Sequence, residues 1–251
     1  MASPSQSTPL PDAGTGVLIE RSGEVLTFTL NNPTHGNEVT GAMLDAMLTE
    51  LRSEASAQRA RVLRIRARGK VFCTGRERGG PDAEFIRNEA ARLIAFKHAL
   101  RMSPLITVAE VQGDAYGFGF ALAILCDFVL AAENVSLAFP EMRYGLAPSA
   151  IMAFLGEYAL PRFAFPLVLF GDSIGPHRAL QIGLISQVCP ADQLAGEANA
   201  LVGHILRLDP AAARQCKEFF LSTQQNSFDH NCERAVEVLT EGSLALFGRQ
   251  K

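Results

Sequence analysis

Apolar residues along this chain follow three successive patterns. Val17–Glu20 and Val25–Leu30 alternate with polar positions and meet at Ser22-Gly23, which predicts a hairpin over 16–31, ended by Asn32-Pro33. Thr40 is the expected cap of a helix running to about Ala57, with Met43, Leu44, Met47, Leu48 and Leu51 spaced to share one face. Residues 61–67 read as a third strand, followed by a glycine-bearing segment, Gly69 to Gly80. A helix over about 83–102 precedes a strand at Leu105–Val111. The run from Gly113 to Gly119 then opens a small-residue helix ending near Cys126, and Asp127–Ala132 is again a strand. Strand alternating with helix predicts an α/β layout with a largely parallel sheet. After residue 149 helices dominate, at about 149–159, 162–170 and 176–182, with one short strand at Ile185–Val188 and three amphipathic helices from about Asp192. The expected organisation is a tail over 1–15, a core over 16–190 and a helical region over 191–251.

Residues 1–15 are rich in Ser, Thr, Pro and Ala and contain no Lys or Arg, so they read as a disordered tail and not as a signal peptide. The apolar run from Phe118 to Cys126 falls well short of the ~18 residues of a membrane helix. The formal charge of −3 offers no footprint for nucleic acid. Five scattered cysteines without a C-x-x-C pair suit free thiols in a reducing, cytoplasmic setting. The five histidines show no metal-ligand spacing, and no metal is expected.

Two glycine-rich bends each follow an apolar strand and precede a helix, at Phe72-Cys73-Thr74-Gly75-Arg76 and at Tyr116-Gly117-Phe118-Gly119. Such bends expose backbone N–H groups that lack intrahelical partners. Two of them aimed at one point would form an oxyanion hole, although glycine at a strand–helix turn is more often a matter of backbone geometry. The second bend lacks the full dinucleotide fingerprint, because Leu122 stands where the third glycine would fall. Glu141, in the apolar Phe139-Pro-Glu-Met142, is a candidate for acid–base work, although a glutamate in such a turn is more often solvated or salt-bridged and structural. Asp127, inside an apolar run, reads as structural, and Cys126 beside it as a core thiol.

Taken together, these segments resemble the crotonase superfamily of enoyl-CoA hydratases and isomerases, in register over about residues 16–190. Asn32-Pro-Thr-His-Gly-Asn37 is similar to the family's N-x-P…N, and Gly69–Arg76 to its F-[CS]-A-G-x-D loop. Val111–Asp127 aligns without a gap on N-G-x-A-x-G-G-G-x-E-L-x-x-x-C-D. Phe139–Pro148 resembles F-x-x-P-E-x-x-x-G-x-x-P, and Gly171–Ile185 resembles T-G-x-x-x-x-A-x-x-A-x-x-x-G-L-V. The resemblance implies a crotonase-like spiral of ββα units with a C-terminal helical part used for a homotrimer or a dimer of trimers. It implies an acyl-CoA substrate, with coenzyme A arriving as part of that substrate and no separate cofactor. It places the oxyanion-binding amides at Arg76 and Phe118 and a catalytic glutamate at Glu141. Asn37, Phe72, Thr74, Gly75, Gly117, Gly119 and Pro140 fall on substrate-binding segments.

The chain departs from the pattern where chemistry is decided. Ala121 occupies the position of the family's other catalytic glutamate, and Arg76 and Phe118 stand where small residues are usual. Hydration of an enoyl-CoA uses two carboxylates, whereas moving a double bond needs one base that removes a proton and returns it further along the dienolate. Isomerisation is therefore the leading expectation. Hydration, other enolate chemistry (carbon–carbon bond formation or cleavage, thioester hydrolysis) and a non-catalytic binding protein of the same fold are the alternatives.

Overall fold

The computed structural model describes residues 8–9, 16–80 and 82–248; the rest of the expected tail lies outside the described residues. The chain opens with β1 (Thr8–Pro9), which pairs antiparallel with β2 (Val17–Ser22). β2 and β3 (Val25–Leu30) form the expected hairpin, turning at Gly23 with φ +56°. The helix α1 (Gly41–Ala57) is capped as anticipated, the Thr40 hydroxyl accepting the Met43 N–H at 3.2 Å, and its five named apolar residues are buried. β4 (Val62–Ala67), α2 (Ala83–Arg101) and β5 (Ile106–Val111) follow. Next come a two-residue strand β6 (Ala115–Tyr116), α3 (Phe118–Ile124), β7 (Phe128–Ala132) and a second two-residue strand β8 (Leu137–Ala138).

Beyond β8 lie a 3-10 turn (Pro140–Tyr144), α4 (Ser149–Leu155), α5 (Pro161–Phe170), α6 (Pro176–Gln181) and β9 (Gln187–Cys189). The chain closes with α7 (Leu194–Arg207), α8 (Pro210–Thr223) and α9 (Phe228–Gly248). β9 begins two residues later than its apolar run suggested. Leu184 and Ile185 are buried ahead of it, and the ladder with β7 opens at Gln187 opposite Leu130.

The main sheet has the order β1-β2-β3-β4-β5-β7-β9 and is parallel from β3 onward. A second line of short pairings runs beside it: Val39 with Arg76, Cys73 with Ala115, β6 with β8, and Leu137 with Ile174. Each unit is thus a long strand, a short strand and a helix, as in β5-β6-α3 and β7-β8-α4. α7 packs on β4, β5 and β7, and its Leu194, Ala198, Val202 and Ile205 join the same buried cluster, so the helical region expected from 191 begins inside the core layer. Asp127 is structural: its carboxylate accepts from the Thr107 N–H (2.7 Å), the Thr107 hydroxyl (2.9 Å) and the Lys217 ammonium (2.7 Å). Cys73, Cys126 and Cys189 are buried free thiols, and burial pushes the Cys73 thiol up to about 12. Among the described residues no helix is long and apolar enough to cross a membrane, and no cluster of His, Cys, Asp and Glu has the shape of a metal site.

Candidate active site

The two glycine-rich bends are stitched together by backbone. The N–H groups of Phe72 and Cys73 both donate to the Asp114 carbonyl (3.1 and 3.2 Å), and the Tyr116 N–H donates to the Cys73 carbonyl (2.9 Å). Two glycines make this approach possible. A Cβ on Gly113 would sit 1.9 Å from the Lys70 carbonyl oxygen, and one on Gly119 2.2 Å from that of Cys73. Gly75 and Gly117 serve differently: φ values of +146° and +52° turn the chain out of each short strand, which a side chain would resist.

Those turns decide where the following amides point. Val39 donates to the Gly75 carbonyl (3.1 Å) and accepts from the Glu77 N–H (3.0 Å), so the intervening Arg76 N–H faces away from Val39. Phe118 is the first residue of α3, whose leading amides have no intrahelical acceptor. Among the described residues neither amide donates to a protein acceptor. The Phe118 ring turns into the protein, 6.1 Å from the Phe96 ring.

Arg76, Phe118, Thr74, Gly75, Gly117, Ala121, Pro140 and Glu141 all line one cavity of about 1000 Å³. Glu141, on the 3-10 turn after β8, lies over Gly117: its Oε1 would be 3.0 Å from a Cβ built there, and its Oε2 is buried without a hydrogen-bond partner. Buried carboxylate oxygens are normally matched, and the exceptions concentrate at working sites. Three residues expected near the substrate do not line this cavity. Asn37 is fully buried and holds loops together, donating to the Arg68 and Val71 carbonyls (both 2.8 Å) and accepting from the Asn32 N–H (2.9 Å). Phe72 is core, and Gly119 is the contact point against Cys73.

Sequence reasoning passed over Lys97. It lines the same cavity from α2, is 5% exposed, and donates to the Ala150 carbonyl at 3.0 Å. Its Nζ lies 5.9 Å from the Phe118 ring centre and 5.0 Å from that of Phe154. Burial holds its ammonium down to about 8 from 10.5; the Glu141 carboxylate pulls the other way and the Arg76 guanidinium adds to the lowering. A signal was present in the sequence: Lys97 shares helical spacing with Leu93, Phe96 and Leu100, the buried face of α2.

The short-strand ladder and the paired bends define a ββα spiral with a cavity between its turns. A sequence model of the enoyl-CoA hydratase/isomerase family matches residues 20–241. The 2,3-dehydroadipyl-CoA hydratase of Escherichia coli is 31% identical over 237 residues, covering 89% of each chain. A mitochondrial enoyl-CoA hydratase domain-containing protein 3 of Xenopus laevis is 27% identical over 98% of this chain and 83% of its own length. The crystal structure of an enoyl-CoA hydratase of Mycobacterium smegmatis superposes with a TM-score of 0.86 at 25% identity, covering 90% of each. The chain therefore belongs to the enoyl-CoA hydratase/isomerase family and has the crotonase fold.

Proposed function

We propose that this protein binds an acyl-CoA thioester, stabilises its enolate, and shifts the double bond of an enoyl-CoA with Glu141 as the single carboxylate base. The observation that carries the reading is the unmatched Glu141 Oε2, buried in the cavity that Arg76 and Phe118 line, with Ala121 where a second carboxylate would stand. The unpaired amides of Arg76 and Phe118 are suited to receive the thioester oxygen as it gains negative charge. Glu141 then removes a proton from the acyl chain and returns it further along the dienolate, so no second acid is consumed. Coenzyme A enters as part of the substrate, and the scheme draws on no other cofactor. Hydration is the second reading, favoured by the hydratase names of the relatives.

Mass spectrometry of enoyl-CoA thioesters incubated with the protein in deuterated water tests both readings. Deuterium at the α or γ carbon with a moved double bond supports isomerisation, and a product heavier by one water favours hydration. Glu141→Gln is expected to lower the exchange rate by about a thousandfold while leaving thioester affinity within a few-fold. Undiminished exchange in that variant would remove Glu141 from the role, and binding without exchange in the parent would leave a binding protein.

We further propose a homotrimer or a pair of trimers. In support, α5 and α9 leave large apolar side chains exposed, among them Phe165, Phe170, Leu239 and Phe247. Helix faces that leave this many large apolar side chains exposed suit contact with a partner.

A further inference from the structure

Among the described residues two lysines are buried, and their surroundings differ. Lys217 has a counter-charge, the Asp127 carboxylate at 2.7 Å, and the Leu105 carbonyl at 2.6 Å. Lys97 has one carbonyl at 3.0 Å, two aromatic faces and, among the described residues, no carboxylate within 4.0 Å of its Nζ. Burying a cation without a counter-charge is costly, and folded proteins seldom retain one that nothing will meet. Arg76 opens on the same cavity, and among the described residues its guanidinium donates only to the neighbouring Glu77 carbonyl at 3.4 Å. The two cations sense and repel each other. Glu141, the carboxylate that partly offsets Lys97, is held over Gly117 and assigned to proton transfer. One turn before Lys97, Leu93 and Ile94 give the cavity an apolar wall. The cavity carries Lys97, Arg76 and Arg78 against the carboxylates of Glu38 and Glu141, and an apolar wall beside a surplus of cations suits methylene carbons ending in an anion.

We propose that Lys97, seconded by the Arg76 guanidinium, receives a second carboxylate on the acyl group, so that the substrates are thioesters of dicarboxylic acids. The proposal rests on the acyl-CoA reading above and specifies its substrate class. A charge-assisted hydrogen bond in a buried site is worth roughly a tenfold to hundredfold preference.

Calorimetric titration with saturated CoA thioesters of equal chain length, ending in either methyl or carboxylate, tests it without any catalytic step. The parent protein is expected to bind the carboxylate form at least about tenfold more tightly. Lys97→Met should bring the ratio to about one or below, and Lys97→Arg, which keeps a charge, should retain most of it. No preference in the parent, or an equal loss for both thioesters in Lys97→Met, would overturn the assignment. The same pair built on CoA lacking its 3′-phosphate separates the two sources of anion: an unchanged ratio supports the acyl carboxylate. A Lys97 effect that vanishes with the phosphate would give the lysine to coenzyme A instead and overturn the proposal. Glu141→Gln should keep the preference, so loss of the base assignment and loss of this one register in different measurements.

Discussion

Replacing Lys97 by Met should make the protein more stable at neutral pH, and by an amount that depends on pH in a calculable way. Met has nearly the same length and removes only the charged end. In the fold the ammonium titrates near 8, against 10.5 when exposed, because burial disfavours its charged form. At ~1.4 kcal/mol per pH unit, that gap amounts to about 3 kcal/mol. Because the folded value is depressed for a base, the effect is a destabilisation. It is fully present below pH 8, shrinks as pH rises towards 10.5, and is absent above. The parent protein therefore gains stability relative to Lys97→Met as the solution becomes alkaline. Loss of the hydrogen bond to the Ala150 carbonyl offsets the variant's gain at neutral pH by ~1 kcal/mol, but this part is nearly independent of pH. Urea unfolding of both proteins at pH 7 and pH 10 reads the difference directly, since every other titrating group is common to the two. The stability gap should narrow or reverse by about 2–3 kcal/mol between these conditions. A gap that stays constant within error would mean that the ammonium reaches water, and the case for a buried unmatched cation would fail with it.

Two backbone and core features carry equally direct expectations. Gly119→Ala would place a methyl carbon 2.2 Å from the Cys73 carbonyl oxygen, a rigid neighbour. It should cost about 3 kcal/mol in chemical denaturation and lower deuterium exchange into thioesters by separating the two bends. Asp127→Ala leaves the Lys217 ammonium buried without its 2.7 Å partner and two Thr107 donors unmatched. A loss of about 3–5 kcal/mol is expected by the same assay, with cavity binding at low temperature unaffected; a loss below ~1 kcal/mol would count against the buried pair.

Long periodic segments were legible because burial imposes a repeat on them. The hairpin at 17–30, the α1 face from Met43 to Leu51 and the Thr40 cap all stand as the pattern suggests. β6 and β8 could not be read this way, since two residues carry no period; they exist because neighbouring backbone offers them partners. The α4 helix stops at Leu155, short of the expected 159, with Gly156 following and the chain already turning towards Pro161. At the site, the motif segments led to Glu141, Arg76 and Phe118, which the fold brings to one cavity. Asn37 shows the limit of such reading: a polar residue in a motif loop is there to satisfy three backbone groups far apart in sequence.

Lys97 shows the complementary limit, because a helix face reads as packing even where one position on it is charged. Its meaning emerges only beside Ala121, which lines the same cavity. A glutamate at 121 would add a second negative charge near Glu141 and raise the electrostatic cost of admitting another carboxylate. Alanine at 121 removes that repulsion, and lysine at 97 supplies attraction. Both residues move the potential of the cavity in the positive direction, and they do so without displacing the carboxylate placed over Gly117. On the reading proposed above, alanine at 121 and lysine at 97 thus act in one electrostatic direction, with a single carboxylate base facing an anion-receiving group across the same cavity.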